Sequence, residues 1–361
     1  MIAKTFQDLA EILKSGSITK GYVIGLAVEG SEHGREDMQL AAELAAKQGV
    51  RVVLIEGDDP HAEMERMLDM GEIDGAVTMH YPFPIGVSTV GKVVTPAKGR
   101  PMYIATTTGT SDTDRICAMI KNAIYGIAVA KAEGISRPSV GIANIDGARQ
   151  CEKALLRLAE NGYEICFAES NRAEGGIVMR GHDLLQGSAD VMVMDSLTGN
   201  LMIKIFSSYT TGGGYESIGW GYGPGVGEGF DKLILIISRA SGAPLIAGAC
   251  TFATDLLQGD LMRLAADEIA AAKKAGLNDI LSEIGKTKTA EKEQDVEVPA
   301  AEVVTSQIPG IEVMDLEDAV RELWRAGIYA ESGMGCTGPI ILISEANHDK
   351  AIGILTEKGF I

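Results

Sequence analysis

Residues Val191-Met192-Val193-Met194-Asp195-Ser196-Leu197-Thr198-Gly199-Asn200 indicate the fold, because an apolar run is followed at once by a polar turn. The apolar run Val191–Met194 is typical of a strand buried on both faces. A helix begins at the polar turn and carries Lys204 one turn in. In open α/β sheets, ligands bind beyond the carboxyl ends of strands. The Asp, Thr, Asn and Lys side chains of this stretch would therefore suit a phosphate or a phosphorylated substrate.

Similar strand and helix patterns alternate over most of the chain. Apolar runs predict further strands at Tyr22–Val28, Val52–Ile55, Ala76–Met79, Met102–Thr106, Ser139–Ala143, Glu164–Ala168, Leu233–Ser238 and Pro244–Ala249. Helical spacing predicts helices at Phe6–Leu13, Leu40–Ala45, Pro60–Met70, Asp114–Lys131, Cys151–Glu160 and Asp260–Ala275. This alternation predicts an α/β fold with a mainly parallel sheet.

The composition changes near residue 280, which indicates a domain boundary. Glu283–Ala301 mixes Lys, Glu and Asp with almost no apolar periodicity, as linkers do. We therefore predict a main domain over 1–282, a charged linker over 283–309 and a small α/β domain over 310–361. About fifty residues are marginal as an independent fold, so the small domain should dock on the main domain or on a partner.

The small domain contains the second informative stretch, Glu331-Ser332-Gly333-Met334-Gly335-Cys336-Thr337-Gly338-Pro339. Its glycines leave room for an acyl group to approach the cysteine, and nearby N–H groups could stabilise an oxyanion. We take the amides of Gly335, Thr337 and Gly338 as candidates for that role. The alternative is a small buried hydrophobe in a tight turn, which is the commoner role of a cysteine.

Composition excludes several classes of function. The net charge of −18 disfavours nucleic acid and anionic membranes as partners. The five cysteines, at 117, 151, 166, 250 and 336, are widely spaced and contain no C-x-x-C. They form neither a disulfide framework nor a zinc pattern, so we expect no metal and a reducing cytoplasm. No Walker A or dinucleotide fingerprint is present, which disfavours a dehydrogenase.

Three turns remain open to more than one interpretation. Gly30–Gly34 could bind an anion at a helix N-terminus or serve as a plain strand-to-helix turn. The hydroxyls of Thr107–Ser111 could contact a phosphate, although helix capping is the favoured interpretation. Gly212–Gly229 contains nine glycines in eighteen residues and predicts a mobile loop or lid, or equally a flexible connector.

Four stretches together resemble the PlsX-type phosphate acyltransferases, relatives of phosphotransacetylase. They are Gly30–Gly34, Ser139–Ile145, the long segment from Gly181-His182-Asp183 to Lys204, and Ser241–Ile246. Their order and spacing span most of residues 21–280. The resemblance implies a three-layer fold around a mainly parallel sheet. Val28-Glu29 departs from the family pattern, so lipid synthesis is not implied.

The tail resembles a narrower family. Ser332–Pro339 after a charged linker is similar to the alpha subunits of component C in glycine/sarcosine/betaine reductase complexes, which also carry a PlsX-like main domain. In that family, component C receives a carboxymethyl group from the selenocysteine of protein A and holds an acetyl thioester on a cysteine, here Cys336. Phosphate then releases acetyl phosphate. The resemblance implies an oligomer with a component C beta subunit and selenoprotein A as partners, in anaerobic amino-acid fermentation.

The residues allow a division of roles for this chemistry. Cys336 would be the catalytic nucleophile, and inorganic phosphate would be a substrate, with no cofactor. The predicted phosphate-binding residues are Asp195, Thr198, Gly199, Asn200 and Lys204, with His33 or His182 as the possible base. Two alternatives remain: a stand-alone acyltransferase that uses acyl-CoA or acyl carrier protein, and a non-catalytic scaffold subunit.

Overall fold

The computed structural model describes residues 21–57, 59–172, 175–292, 296, 298–311, 315–335 and 338–361. The predicted helix Phe6–Leu13 therefore lies outside the described residues, as do Cys336 and Thr337. Internal contacts divide the chain into two compact units, Met1–Ser282 and Glu283–Ile361. Each unit is described by itself.

The first unit is built on one eleven-stranded sheet. Its strands are β1 (Val23–Ala27), β2 (Arg51–Ile55), β3 (Gly75–Thr78), β4 (Val87–Val94), β5 (Pro101–Gly109), β6 (Ser139–Ala143), β7 (Cys166–Phe167), β8 (Val178–Met179), β9 (Val191–Val193), β10 (Gly223–Gly227) and β11 (Ile234–Ile236). The strand order is β2-β1-β3-β11-β10-β4-β5-β9-β6-β7, with β8 also paired to β6.

Helices flank this sheet. They are α1 (Gly34–Lys47), α2 (Pro60–Asp69), α3 (Arg115–Ala132), α4 (Ala148–Glu160), α5 (Gly181–Gln186), α6 (Ser196–Ser208), α7 (Ala243–Gln258), α8 (Leu261–Lys274) and α9 (Leu277–Lys292). Helix α3 is buried along most of its length and packs against β5 and β9. The predicted mainly parallel α/β architecture is confirmed.

The sheet consists of two parallel halves that run in opposite directions. Strands β2-β1-β3-β11 form one half and β5-β9-β6-β7 the other. Strands β10 and β4 lie between them, and the pairs β11–β10, β10–β4 and β4–β5 are all antiparallel. The chain direction therefore reverses three times between the halves.

The glycine-rich segment corrects the prediction of a mobile loop or lid. Gly223–Gly227 is a buried strand at the centre of the sheet. A Cβ at Gly223 would lie 1.8 Å from the Val90 carbonyl oxygen, and one at Gly225 would lie 2.3 Å from the Phe83 ring. The glycines of this strand are needed because neighbouring groups approach the backbone too closely for a side chain.

Two further assignments differ from the sequence predictions. Strand β4 was not predicted, because Gly91 and Lys92 interrupt its apolar pattern; Lys92 is buried in an ion pair with Glu133 and lies over the Trp220 ring. The predicted strand Pro244–Ala249 is wrong, because it belongs to helix α7. That helix is apolar on most sides, and an apolar run of this kind does not distinguish a buried strand from a buried helix.

The second unit contains a three-stranded antiparallel sheet and two helices. Its elements are β12 (Ser306–Pro309), α10 (Leu316–Arg325), β13 (Ala330–Gly335), β14 (Gly338–Ile343), a 3₁₀ turn (Glu345–Asn347) and α11 (His348–Glu357). The strand order is β12-β14-β13. The segment 283–309, predicted as linker, contains the end of α9 and all of β12. Strand β12 is held there by pairing with Ile340–Ile343 of β14.

Candidate functional site

A cavity of about 580 Å³ lies at the junction between the two halves of the sheet. Its walls come from the segments that follow β3 and β11, from the end of β5 with the residue after it, and from helix α6. The polar lining residues are Glu32, His80, Thr108, Thr110, Asn200, Lys204, Ser238 and Arg239. Met79, Tyr81, Phe83, Ile85 and Tyr222 supply apolar surface. The cavity therefore combines cations and hydroxyls with room for a small organic group.

Helix α6 begins at Asp195, which acts as its N-cap. The carboxylate accepts from the backbone N–H groups of Leu197 and Thr198, both at 3.0 Å, and from Thr198 Oγ1 at 2.7 Å. Arg115 forms an ion pair with Asp195 at 3.0 Å. Burial alone would raise the pKa of Asp195, but these hydrogen bonds and the Arg115 charge outweigh it and lower the pKa. Asp195 and Thr198 are thus engaged with each other, and neither lines the cavity.

Gly199 allows α6 to approach the sheet closely. A Cβ there would lie 1.7 Å from the carbonyl oxygen of Thr106 on β5. The next residue, Asn200, donates from Nδ2 to the Thr107 carbonyl at 3.1 Å and lines the cavity. Lys204 follows one helical turn later and lines it too. Two of the predicted phosphate-binding residues therefore reach the cavity, and Gly199 permits their approach.

Arg239 is the second cation of the cavity. Its Nε donates to the Gly30 carbonyl at 3.0 Å, and neither Arg239 nor Lys204 has an ion pair among the described carboxylates. Arg239 follows the predicted strand Leu233–Ser238 directly. The rule that ligands bind beyond the carboxyl ends of strands could have identified it, as it could have identified His80 after β3.

Strand β5 runs on through Gly109, so the predicted Thr/Ser-rich turn is partly strand, and only its later residues form a turn. Thr108 and Thr110 line the cavity. Capping of α3 comes instead from Asp114, whose Oδ1 accepts from the N–H groups of Ile116 and Cys117 at 2.9 Å. Ser111 donates to Asn122 at 2.7 Å inside the protein. The hydroxyls nearest the strand end are therefore available to a ligand.

His33 supports the cavity wall without lining it. Its Nε2 donates to the Ala240 carbonyl at 3.1 Å, and its ring packs against Tyr215 with centroids 4.7 Å apart. The Glu32 N–H also donates to the Arg239 carbonyl at 2.9 Å. The turn at Gly30–Gly34 thus holds the segment that carries Ser238 and Arg239. A role as proton acceptor for His33 stays a prediction.

His182 is exposed on the short helix α5 and is not a lining residue of the cavity. The buried residue here is its neighbour Asp183, which is 1% exposed. Asp183 accepts from Ser170 Oγ, Ser188 Oγ and the N–H groups of Asn171 and Arg180, at 2.7–3.0 Å. Burial would raise the pKa of Asp183, but these four donors outweigh it and lower the pKa.

We expect Asp183→Asn to lower the free energy of unfolding by about 2–3 kcal/mol at pH 7, because an amide cannot accept from all four donors. The carboxylate stabilises the fold above its unfolded pKa of about 3.9, and this contribution is lost as the pH falls through the lower folded pKa. Urea unfolding at several pH values measures the difference in free energy of unfolding between the wild-type protein and Asp183→Asn. This difference should become smaller only below about pH 3.9. Glu43→Gln, at an exposed position of α1, should have the same free energy of unfolding as the wild-type protein. A stability difference between Asp183→Asn and wild type that stays constant down to about pH 2 would contradict this account.

Four cysteines lie among the described residues, and three of them are buried. Burial raises the pKa of Cys117 and Cys250 to about 12 and also raises the pKa of Cys151. These thiols are therefore protonated near neutral pH and poor nucleophiles. Cys166 on β7 is partly exposed.

Two of the predicted oxyanion residues lie on neighbouring strands, Gly335 at the end of β13 and Gly338 at the start of β14. Gly335 pairs with Gly338 across the two strands. Cys336 and Thr337, which connect these glycines in the chain, lie outside the described residues. Their roles, and those of the Gly335 and Gly338 amides, stay predictions.

No set of three or more His, Cys, Asp or Glu side chains within the described ranges is arranged to hold a metal ion. Of the helices in the described part of the chain, none has the length and apolar character needed to cross a bilayer.

Comparison with known proteins shows the family of this chain. A family model described as "Fatty acid synthesis protein" matches residues 22–342. The chain belongs to this PlsX-like family. Within it, the chain is 54% identical over 378 aligned residues to the glycine/sarcosine/betaine reductase complex component C subunit alpha of Peptoclostridium acidaminophilum. The alignment covers all of this chain and 98% of that relative, so the similarity includes the PlsX-like unit and the tail with Cys336.

Proposed function

We propose that this protein is the alpha subunit of component C of a glycine/sarcosine/betaine reductase complex. In this proposal the chain carries an acetyl thioester on Cys336 and releases acetyl phosphate by reaction with inorganic phosphate. The observation that carries the proposal is the cavity in which Lys204 and Arg239 lie with Asn200, Thr108 and Ser238. Whole-length identity to a component C alpha subunit supports the same assignment.

The cavity chemistry suits inorganic phosphate. The chain has a net charge of −18, so an anion must be attracted by a local positive field. Lys204 and Arg239 supply that field, and neutral donors such as Asn200 and Thr108 can orient the oxygens. The apolar residues Met79 and Phe83 can accommodate the acetyl methyl group in the same space.

The reaction requires the thioester to reach the bound phosphate. A phosphate oxygen attacks the thioester carbonyl carbon, the carbonyl π electrons move to oxygen, and the amides near Cys336 stabilise the oxyanion. This attack forms the C–O bond of acetyl phosphate. When the tetrahedral intermediate collapses, the carbonyl double bond re-forms and the C–S bond breaks. The sulfur leaves as a thiolate and recovers a proton, which regenerates the free thiol of Cys336.

The proposal also assigns partners. The carbon atoms of the acetyl group would come from the carboxymethyl group on selenoprotein A. As the C–Se bond breaks, the two electrons that reduce this group to the acetyl level would come from selenium, which is left oxidised on that partner. A component C beta subunit would complete the enzyme. The name of the 54% identical relative, a subunit of a multicomponent reductase complex, supports the need for partner subunits. We propose that the complex acts in the cytoplasm and requires no cofactor on this chain.

Lys204→Ala tests the assignment of the cavity. We expect kcat/KM for phosphate to fall about 100-fold in the assembled complex, because a charge that binds the attacking anion is lost. Arsenate-dependent breakdown of acetyl phosphate measures the same step. Lys98→Ala is the matched control, since Lys98 is exposed in the turn between β4 and β5 and lies outside the cavity lining. Equal activity of both variants would contradict a phosphate site at this cavity.

A further inference from the structure

A buried carboxylate lies directly behind the cavity wall. Glu216 is only 3% exposed and has no ion pair within the described residues. Its backbone is fixed to the turn after β11, because its N–H donates to the Ala240 carbonyl at 3.0 Å and its carbonyl accepts from Gly242 N–H at 2.8 Å. The same turn carries the cavity residues Ser238 and Arg239. Glu216 therefore cannot move away from the cavity without disrupting this turn.

Serine hydroxyls connect Glu216 to the cavity. Ser241 Oγ donates to Glu216 Oε2 at 3.5 Å and accepts from the Ser238 N–H at 2.9 Å. Ser238 Oγ accepts from the Ala240 N–H at 3.0 Å. No hydrogen bond among the described residues uses the Ser238 hydroxyl proton, so this proton is free to be donated to the Glu216 carboxylate, which shares the partner Ser241 with Ser238. A hydroxyl oxygen has two acceptor positions, so Ser238 Oγ can accept a second hydrogen bond at the same time. Ser238 can thus act as an acceptor on the cavity surface.

Burial and the neighbouring groups act on the pKa of Glu216 in opposite directions. Burial raises its pKa, while the hydroxyls of Ser238, Ser207 and Ser241 and the charge of Lys204 act in the opposite direction. Burial has the larger effect. The carboxyl group therefore has a higher proton affinity than an exposed glutamate.

Tyr222 provides a second sign of a ligand. Its side chain is 4% exposed and lines the cavity, yet Oη has no hydrogen-bond partner among the described residues. Burial, and then the charge of Glu216, raise the pKa of Tyr222 and outweigh the opposing effect of the Ser238 hydroxyl, so Oη carries its proton. A buried hydroxyl without a hydrogen-bond partner is rare and costs stability unless a ligand or a water molecule supplies the partner.

We infer that Glu216, acting through Ser238, makes the cavity selective for anions that carry an acidic O–H group, and therefore for hydrogen phosphate over sulfate. This inference rests on the proposed function and names the feature of the substrate that the site recognises. Glu216 is a positioning residue here, because Ser238 makes the contact. Tyr222 Oη donates to one of the unprotonated oxygens.

The physical basis is the difference between the two anions. Near neutral pH, phosphate exists largely as HPO₄²⁻ and H₂PO₄⁻, which have P–O–H donors, whereas sulfate has four oxygens that only accept. A buried carboxylate close to an anion is repulsive unless a proton lies between them. With phosphate, the P–O–H group donates to Ser238 Oγ and Ser238 donates to Glu216. With sulfate, Ser238 Oγ faces an acceptor and the repulsion from Glu216 remains. Arsenate, which keeps an acidic O–H, should behave like phosphate.

The test is titration calorimetry of the full-length protein with inorganic phosphate, arsenate and sulfate at pH 7. We expect the wild-type protein to bind phosphate and arsenate at least 10-fold more tightly than sulfate. Glu216→Gln should reduce that ratio at least 10-fold, mainly by improved sulfate binding, because the amide carries no charge and can donate. Ser238→Ala should also reduce the ratio. It leaves the buried carboxyl in place and serves as the second variant if Glu216→Gln unfolds.

Glu268→Gln is the matched control. Glu268 is another buried carboxylate, paired with Lys131 and accepting from Tyr163 at 2.8 Å, remote in sequence from the cavity segments. It should keep the wild-type selectivity. Equal affinity of the wild-type protein for sulfate and phosphate would overturn the inference, as would unchanged selectivity in the folded variants. The proposed function fails by a different result, namely selective phosphate binding without any acetyl phosphate turnover that depends on Cys336.

Discussion

Cys336→Ala is expected to abolish acetyl phosphate formation by the assembled complex, with a loss of at least about 1,000-fold. The reason is that the thiol is proposed to hold the acetyl group covalently, so no other residue can complete the reaction at a reduced rate. Phosphate binding, measured by calorimetry, should remain at the wild-type value. The variant therefore tests the acyl-carrying role of Cys336 separately from phosphate binding at the cavity.

Cys166→Ala is the matched control for this experiment. Cys166 is the partly exposed cysteine among the described residues, whereas Cys117, Cys151 and Cys250 are buried. We expect the control to keep full activity. Substantial activity in Cys336→Ala would instead favour the alternative of an acyltransferase that takes its acyl group from a carrier and needs no cysteine.

Gly223→Ala should be strongly destabilising. The residue has φ +84°, which costs a residue with a Cβ about 1–2 kcal/mol, and the new Cβ would lie 1.8 Å from the Val90 carbonyl oxygen. Because that oxygen belongs to the neighbouring strand β4, the strand must shift, which adds about 1–3 kcal/mol. Urea unfolding should therefore show a total loss of about 2–5 kcal/mol.

Gly212→Ala isolates the contribution of the close contact. Gly212 has a similar φ of +78°, but its Cβ would have nothing within 4 Å. It should show only the conformational cost of about 1–2 kcal/mol. If both variants lost the same stability, the central glycine strand would not be tightly packed as described.

The fold could be predicted from the sequence only where a pattern of residues is compatible with a single kind of secondary structure. Val191–Met194 followed by a polar turn correctly indicated a buried strand and a helix, because the turn residues cap that helix. A continuously apolar run such as Pro244–Ala249 can form either a buried strand or a buried helix. Because α7 is buried on most sides, it lacks the alternation of apolar and polar residues that would have identified it as a helix. Glycine is typical of flexible loops, yet Gly223–Gly227 is glycine-rich because its neighbours leave no space. That information is in the tertiary structure alone.

The site was predicted in part for the same reason. Asn200 and Lys204 reach the cavity as their positions on α6 suggested, whereas Asp195 and Thr198 are used within the helix cap. Tyr222 and Glu216 lie in the glycine-rich segment and have no motif around them. Their significance comes from burial and from an unsatisfied hydroxyl, which appear only when β10, β11 and α6 are brought together.

The central claim is that Cys336 carries an acetyl thioester which phosphate removes. Mass spectrometry of the complex, allowed to turn over without phosphate and then digested, tests this claim directly. The account predicts an acetyl group on the peptide that contains Cys336, and its loss, with formation of acetyl phosphate, when phosphate but not sulfate is added. Absence of acetyl on that peptide during turnover, or an acetyl group that phosphate fails to release, would contradict the account.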